Sequence, residues 1–340
     1  MMVLLVVLAL AGPAATALAG SGKELVVCSW GGTFDKALRQ AYWDPFEKET
    51  GIKVIAVGPP RAAKVKAMVD SGKVEWDIVV AGYGIFGQCF KKGLLEKVDY
   101  KYFDQKTLDQ LYPSAKQDFA VGTFYFSVVN AYNTEAFPTG QHPKSWKDFW
   151  DVKKFPGPRS LMSLDVAGAS SWEFALLADG MPVGDLYKDY HLPRAFKKLK
   201  EIKPEVVKWW IQSATAGQLL NDKEAVLAAA YNGRIQNLID KGAPLAIEWN
   251  EGMLWLEYLF TPKGAPNYDN AMKFMAFQAR ADRQAELSKI FSYGPVNKEA
   301  FAMLSPERAK TMPSYPDNAA KQFTNHMVLR RCYGNVRGCC

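Results

Sequence analysis

Charge is missing from the first twenty residues. Met1 to Gly20 contain no Asp, Glu, Lys or Arg, and an aliphatic run from Val3 to Ala11 opens them. A run that short does not span a bilayer. With small residues at Ala17-Leu18-Ala19, residues 1–19 read as a secretory signal cut after Ala19, although the positive n-region such signals carry is absent. No cysteine follows that run closely enough to take a lipid anchor, so a free periplasmic protein is expected. No later apolar run reaches membrane-spanning length.

Histidine is scarce, and catalytic signatures are absent. His142, His191 and His326 lie in polar or proline-flanked stretches, without metal-ligand spacing or an evident Ser or Cys partner. Neither a phosphate-binding P-loop nor a nucleophile elbow is present. Paired carboxylates for glycoside hydrolysis are a matter of spatial separation and leave no mark in the sequence. The chain therefore reads as a non-enzyme that needs no cofactor and no metal.

An excess of positive charge is also missing from the body of the chain. Four charges of the net +7 come from Lys321, Arg330, Arg331 and Arg337, with no acid after residue 320, which leaves +3 for everything before. So even a balance does not favour a nucleic-acid partner. Five cysteines, at 28, 89, 332, 339 and 340, leave at least one thiol unpaired in an oxidising compartment. Cys28, inside Leu25-Val26-Val27-Cys28, reads as a small buried hydrophobe.

What is present suits a chain of two domains with substantial cores: 340 residues, 49% hydrophobic and 13% aromatic. Glu24 to Ser29 reads as a strand, followed by a Trp30-Gly31-Gly32-Thr33 turn into a helix. Phe34, Leu38, Tyr42 and Phe46 mark one face of that helix. A break is expected at Asp44-Pro45, where Asp44 would cap a new turn, and a stop at Gly51. Strands at 52–57 and 76–80 around a helix at 61–71 continue the rhythm, which implies a parallel sheet flanked by helices. In such sheets ligands sit at the carboxyl ends of strands, here the turns at 30–33 and 81–84.

The chain then crosses into a second lobe. Its expected helices are 172–177, 192–200 and 214–220, with strands near 226–231 and 244–249. Asn250-Glu251-Gly252 leads into a strand over 253–260 that returns, and helices over 267–279 and 283–291 complete the first lobe. The expected division is lobe 1 over 20–127 and 252–322, lobe 2 over 128–251, and an atypical tail over 323–340. A double crossing of this kind is a natural hinge.

In the returning strand, alternation places Trp255 and Glu257 on one face. An indole beside a carboxylate suits an ammonium group, through cation–π attraction and a charge-assisted hydrogen bond. The competing explanation is that Glu257 pairs with a lysine and Trp255 fills core. Tyr231, Glu248, Trp249 and Glu251 lie nearby, and Trp30, Thr33 and Tyr83 are candidates for the opposite wall. The Gly31-Gly32-Thr33 turn offers free backbone N–H groups to an anion such as a carboxylate.

Several stretches resemble, in order, the polyamine-type substrate-binding proteins of bacterial ABC importers. They are Val27 to Phe34, Phe46 to Val54, Ala175 to Gly180, Tyr231-Asn232-Gly233-Arg234, and Ser292 to Asn297. The resemblance implies a type II two-lobed α/β fold, each lobe a mainly parallel sheet flanked by helices. It also implies a monomer that closes on a putrescine- or spermidine-like ligand and docks on a permease. By position, Trp255 and Glu257 look like the family's aromatic and acidic pair, Tyr231 like the second-lobe aromatic, and Trp30, Thr33 and Tyr83 like first-lobe contacts. A second acidic cluster is expected near 164–173, where only Asp165 and Glu173 are available. That thin supply keeps a shorter amine, or 4-aminobutyrate or a related amino acid, open as cargo; independently of it, a sensory role that presents the ligand without import stays open. The family's Trp-rich terminal helix is replaced by Arg330 to Cys340.

Overall fold

The computed structural model describes residues 22–324, apart from 139, 167, 168 and 190. The expected signal segment and the tail beyond 324, with His326 and three of the cysteines, lie outside the described residues.

The chain opens with β1 (Glu24–Cys28), β2 (Lys53–Val57) and β3 (Ile78–Gly82), and β1 pairs in parallel with both of the others. Leu25, Val27, Ile78 and Val79 are buried, as strands covered by helices on both faces require. Phe34, Leu38, Tyr42 and Phe46 all face the core. The break expected at Asp44 is not a capped restart. The backbone stays helical through a π turn at Arg39–Trp43, and Asp44, itself helical, pairs with Arg39 at 2.8 Å. Pro45 fits because it falls in the first turn of Asp44–Thr50, and Gly51 ends that helix at φ 72°.

The remaining strands are β4 (Lys116–Gln117), β5 (Ala120–Asn133), β6 (Arg159–Met162), β7 (Val206–Trp210), β8 (Leu227–Tyr231), β9 (Leu245–Phe260), β10 (Gly294–Pro295) and β11 (Phe323–Thr324). They form one sheet in the order β2-β1-β3-β9-β5-β8-β6-β7, with β4 and β10 beside β5 and β11 beside β9. Two parallel wings, β2-β1-β3 and β8-β6-β7, are thus joined by the long antiparallel pair β5 and β9. The two strands expected at 244–249 and 253–260 are one. Glu251 takes φ 57° and absorbs the irregularity, so the ladder with β5 continues past it.

The sheet serves two separate cores. The first contains Leu25 to Phe124 and resumes at Leu256; the second runs from Val128 to Met253 and takes in Phe323. Each long strand therefore changes core near its middle, between Phe124 and Val128 on β5 and between Met253 and Leu256 on β9. Among the described residues, no helix is long and apolar enough to cross a membrane.

Candidate functional site

The turns that follow β1 and β3 deliver Trp30, Gly31, Tyr83 and Gly84 to a cavity of about 350 Å³. The second lobe contributes Val166, Ile211, Ser213, Tyr231 and Arg234, and the crossing strands contribute Phe124, Phe126, Trp255 and Glu257. Ligand space at strand carboxyl ends is what this topology favours. The walls are largely aromatic. Trp255 and Phe126 lie near parallel at 6.4 Å, Phe126 meets Tyr231 edge-on at 5.6 Å, and Phe124 stacks on Tyr293 at 4.9 Å.

Glu257 sits opposite Gly82 in the ladder and is buried. The Trp30 indole N–H donates to its Oε1 at 2.6 Å. A Cβ on Gly82 would lie 3.1 Å from Oε2, so glycine there leaves that oxygen room. Burial pushes the Glu257 carboxyl up to about 8, against the pull of the Trp30 bond. Burial likewise raises the Tyr293 hydroxyl to about 12 and raises Tyr231.

The opposite charge comes from Arg234, on the helix Asn232–Ile239. Its Nη1 donates to Thr33 Oγ1 at 3.2 Å across the lobes, and its guanidinium lies 5.8 Å from the Phe291 ring centroid. The glycine turn expected to receive an anion is partly occupied instead. Gly31 N–H donates to Asp35 Oδ1 at 3.0 Å, a carboxylate of the same helix.

Of the residues expected from sequence, Trp30, Tyr83, Tyr231, Trp255 and Glu257 meet at this cavity, and Thr33 touches it through Arg234. Asp165 does not reach it. It is exposed and accepts a hydrogen bond from Ser163 Oγ at 3.0 Å. Glu173 lies inside the second lobe, where Tyr187 Oη donates to it at 3.3 Å and burial raises its carboxyl well above the usual range. Glu248 pairs with His142 at 2.9 Å, and Glu251 accepts the Trp146 backbone N–H at 2.8 Å, so neither serves the cavity. Arg234, Tyr293, Phe124 and Phe126 were not singled out by sequence reasoning. Tyr231 ends β8 and Arg234 lies in the first turn of the helix that follows, so no helical or strand period links the two in the sequence.

Cys28 and Cys89 are free and buried, and burial pushes their thiols up to about 12 and about 11. Among the described residues no group of His, Cys, Asp and Glu is arranged to hold a metal ion.

Two lobes hinged on a shared strand pair, with a polar-tipped aromatic cavity between them, define a solute-binding receptor. The chain belongs to the bacterial extracellular solute-binding proteins, whose family model matches residues 41–323. It is 39% identical to the gamma-aminobutyric acid-binding protein of Pseudomonas aeruginosa, over 89% of this chain and 86% of that one. It is 26% identical to the spermidine/putrescine-binding periplasmic protein of Salmonella typhimurium, over 81% and 79%. A solved structure described as the Atu4243–GABA receptor superposes with a TM-score of 0.81 at 37% identity, covering 91% of this chain and 94% of that one. These relatives are solute-binding proteins rather than enzymes, and proteins of this class bind small ligands and work with ABC-transporter permeases.

Proposed function

We propose that this protein captures a short ω-amino acid of the 4-aminobutyrate type in the periplasm and, as a monomer, hands it to an ABC importer. One observation carries the reading: the cavity offers one carboxylate, Glu257, and one guanidinium, Arg234, around an aromatic box. A zwitterion with an apolar spacer satisfies both. Its ammonium takes Glu257 Oε2 with Trp255 and Trp30 beside it, and its carboxylate takes Arg234. A diamine would instead bring a second ammonium toward Arg234, and like charges at close range are costly. The polyamine expectation has the weaker relatives behind it, and Asp165, its second acid, faces solvent. In this reading residues 20–127 with 252–322 close on residues 128–251 about β5 and β9, and the Arg234–Thr33 bond is one contact that joins the lobes at the cavity.

The test is calorimetric titration of wild type and Arg234→Ala with 4-aminobutyrate and with putrescine. Wild type is expected to prefer 4-aminobutyrate. The variant is expected to lose about 30-fold or more in affinity for it, while putrescine is not weakened, because a buried carboxylate without its partner costs about 2–5 kcal/mol. Tighter binding of putrescine than of 4-aminobutyrate by the wild type would refute the reading.

A further inference from the structure

Ile211 is the most exposed large apolar side chain among the described residues, at 64%. It lines the ligand cavity from the second lobe. Its exposure does not come from a loose backbone. The preceding Trp210 is buried, its indole donates to the Ala229 carbonyl at 2.9 Å, and its own carbonyl accepts the Ser163 N–H at 2.8 Å. Across the cavity Trp30 is also 46% exposed, although its indole N–H is committed to Glu257. Two anchored apolar groups facing one cavity from opposite lobes keep area in water that lobe closure removes.

The two charged groups fix the ends of a zwitterion but leave its middle unspecified. Glu257 belongs to a strand shared by both lobes and Arg234 to a second-lobe helix, and both are polar contacts. Methylene number is read only by a group that packs on the spacer. Within the second lobe, Ile211 and Val166 are the aliphatic side chains lining this cavity, and Ile211 is the more exposed.

We propose that Ile211 is a specificity-determining residue of the receptor: on closure its side chain descends on the ligand's spacer, and its size sets how many methylenes the cavity accepts. The proposal rests on the ω-amino acid reading of the same site. Its test is titration of wild type, Ile211→Ala and Ile211→Phe with 3-aminopropanoate, 4-aminobutyrate and 5-aminopentanoate, with the ligand-free unfolding midpoint of each variant measured alongside.

Each buried methylene is worth about fourfold in affinity. The alanine variant is therefore expected to shift the ratio of 5-aminopentanoate to 4-aminobutyrate affinity by about fourfold toward the longer ligand. The phenylalanine variant is expected to shift preference toward 3-aminopropanoate, with the ligand-free midpoints unchanged. Retained or uniformly weakened binding with unaltered affinity ratios among the three ligands in both variants overturns this proposal and leaves the ω-amino acid reading standing. Failure of the wild type to bind any of the three overturns both.

Discussion

A buried carboxyl with a pKa of about 8 is neutral at pH 6 in the empty cavity, yet an incoming ammonium needs it ionised. Binding must therefore release a proton below pH 8. Affinity for an ammonium ligand is expected to rise about tenfold per pH unit from 6 to 8 and to level off above, where the carboxylate is already formed. Titrations across that range, with the heat compared in buffers of different ionisation enthalpy, check both the slope and the proton. The same shift sets the sign for ligand-free stability. The folded protein holds a proton that the unfolded chain has lost between about pH 4.5 and 8, so stability falls with rising pH across that window, by about 1.4 kcal/mol per unit. Glu257→Gln removes this slope, raises ligand-free stability at pH 8, and abolishes tight amine binding; denaturant melts at pH 5 and pH 8 measure the first two effects. Trp255 and Glu257 were legible because strand period alone puts them on one face. Arg234 and Tyr293 were not, because each reaches the cavity only through packing between lobes that no local pattern records.

At the scale of elements, the helix Asn232–Ile239 makes much of the seam between lobes. Asn232 accepts the Ser127 N–H at 2.8 Å on β5 and donates to the Ser292 carbonyl at 2.7 Å. At the helix's far end Asp240 pairs with Arg308 at 2.9 Å. Between them Gly233 lies under the Tyr293 ring, and a Cβ there would sit 2.5 Å from Tyr293 Cε1. Tyr293 cannot give way easily, since it stacks on Phe124 at 4.9 Å and on Phe291 at 5.4 Å. Gly233→Ala gains up to about 1 kcal/mol in helix propensity and loses about 1–3 kcal/mol to overpacking. Net destabilisation with weaker ligand binding is the expected outcome, read from urea melts and titration; a stabilised variant with unchanged affinity would contradict the seam. Neither β6 and β7 nor the helix Asn232–Ile239 was expected from sequence, although several other helices and strands of this fold were readable from period and from turn residues. The join of 244–249 to 253–260 was not. Asn250-Glu251-Gly252 has turn chemistry, and Glu251 is held at positive φ by bonds to Trp146 and Lys321 while β5 pairs with the strand on either side of it.

At the scale of the molecule, two cores share one sheet. Val121 and Val128 belong to the same strand but to different cores, and Leu259 and Met253 repeat the arrangement on β9. The C-terminal segment ties the two cores again: Phe323 packs in the second core, Gln322 receives the Ser127 hydroxyl, and the Glu251 N–H donates to the Lys321 carbonyl at 2.9 Å. Loss of either core would unpair half of β5 and half of β9 and expose their backbone groups, a cost that couples the lobes. The receptor is therefore expected to unfold in a single transition, seen alike by tryptophan fluorescence and far-UV circular dichroism, although it has two hydrophobic centres. Ligand held by both lobes should raise that one transition as a whole, by about 2.7 kcal/mol at a concentration 100 times Kd. Two resolved transitions, with only one moved by ligand, would mean that the shared strands do not couple the cores and that the ligand is held by one lobe.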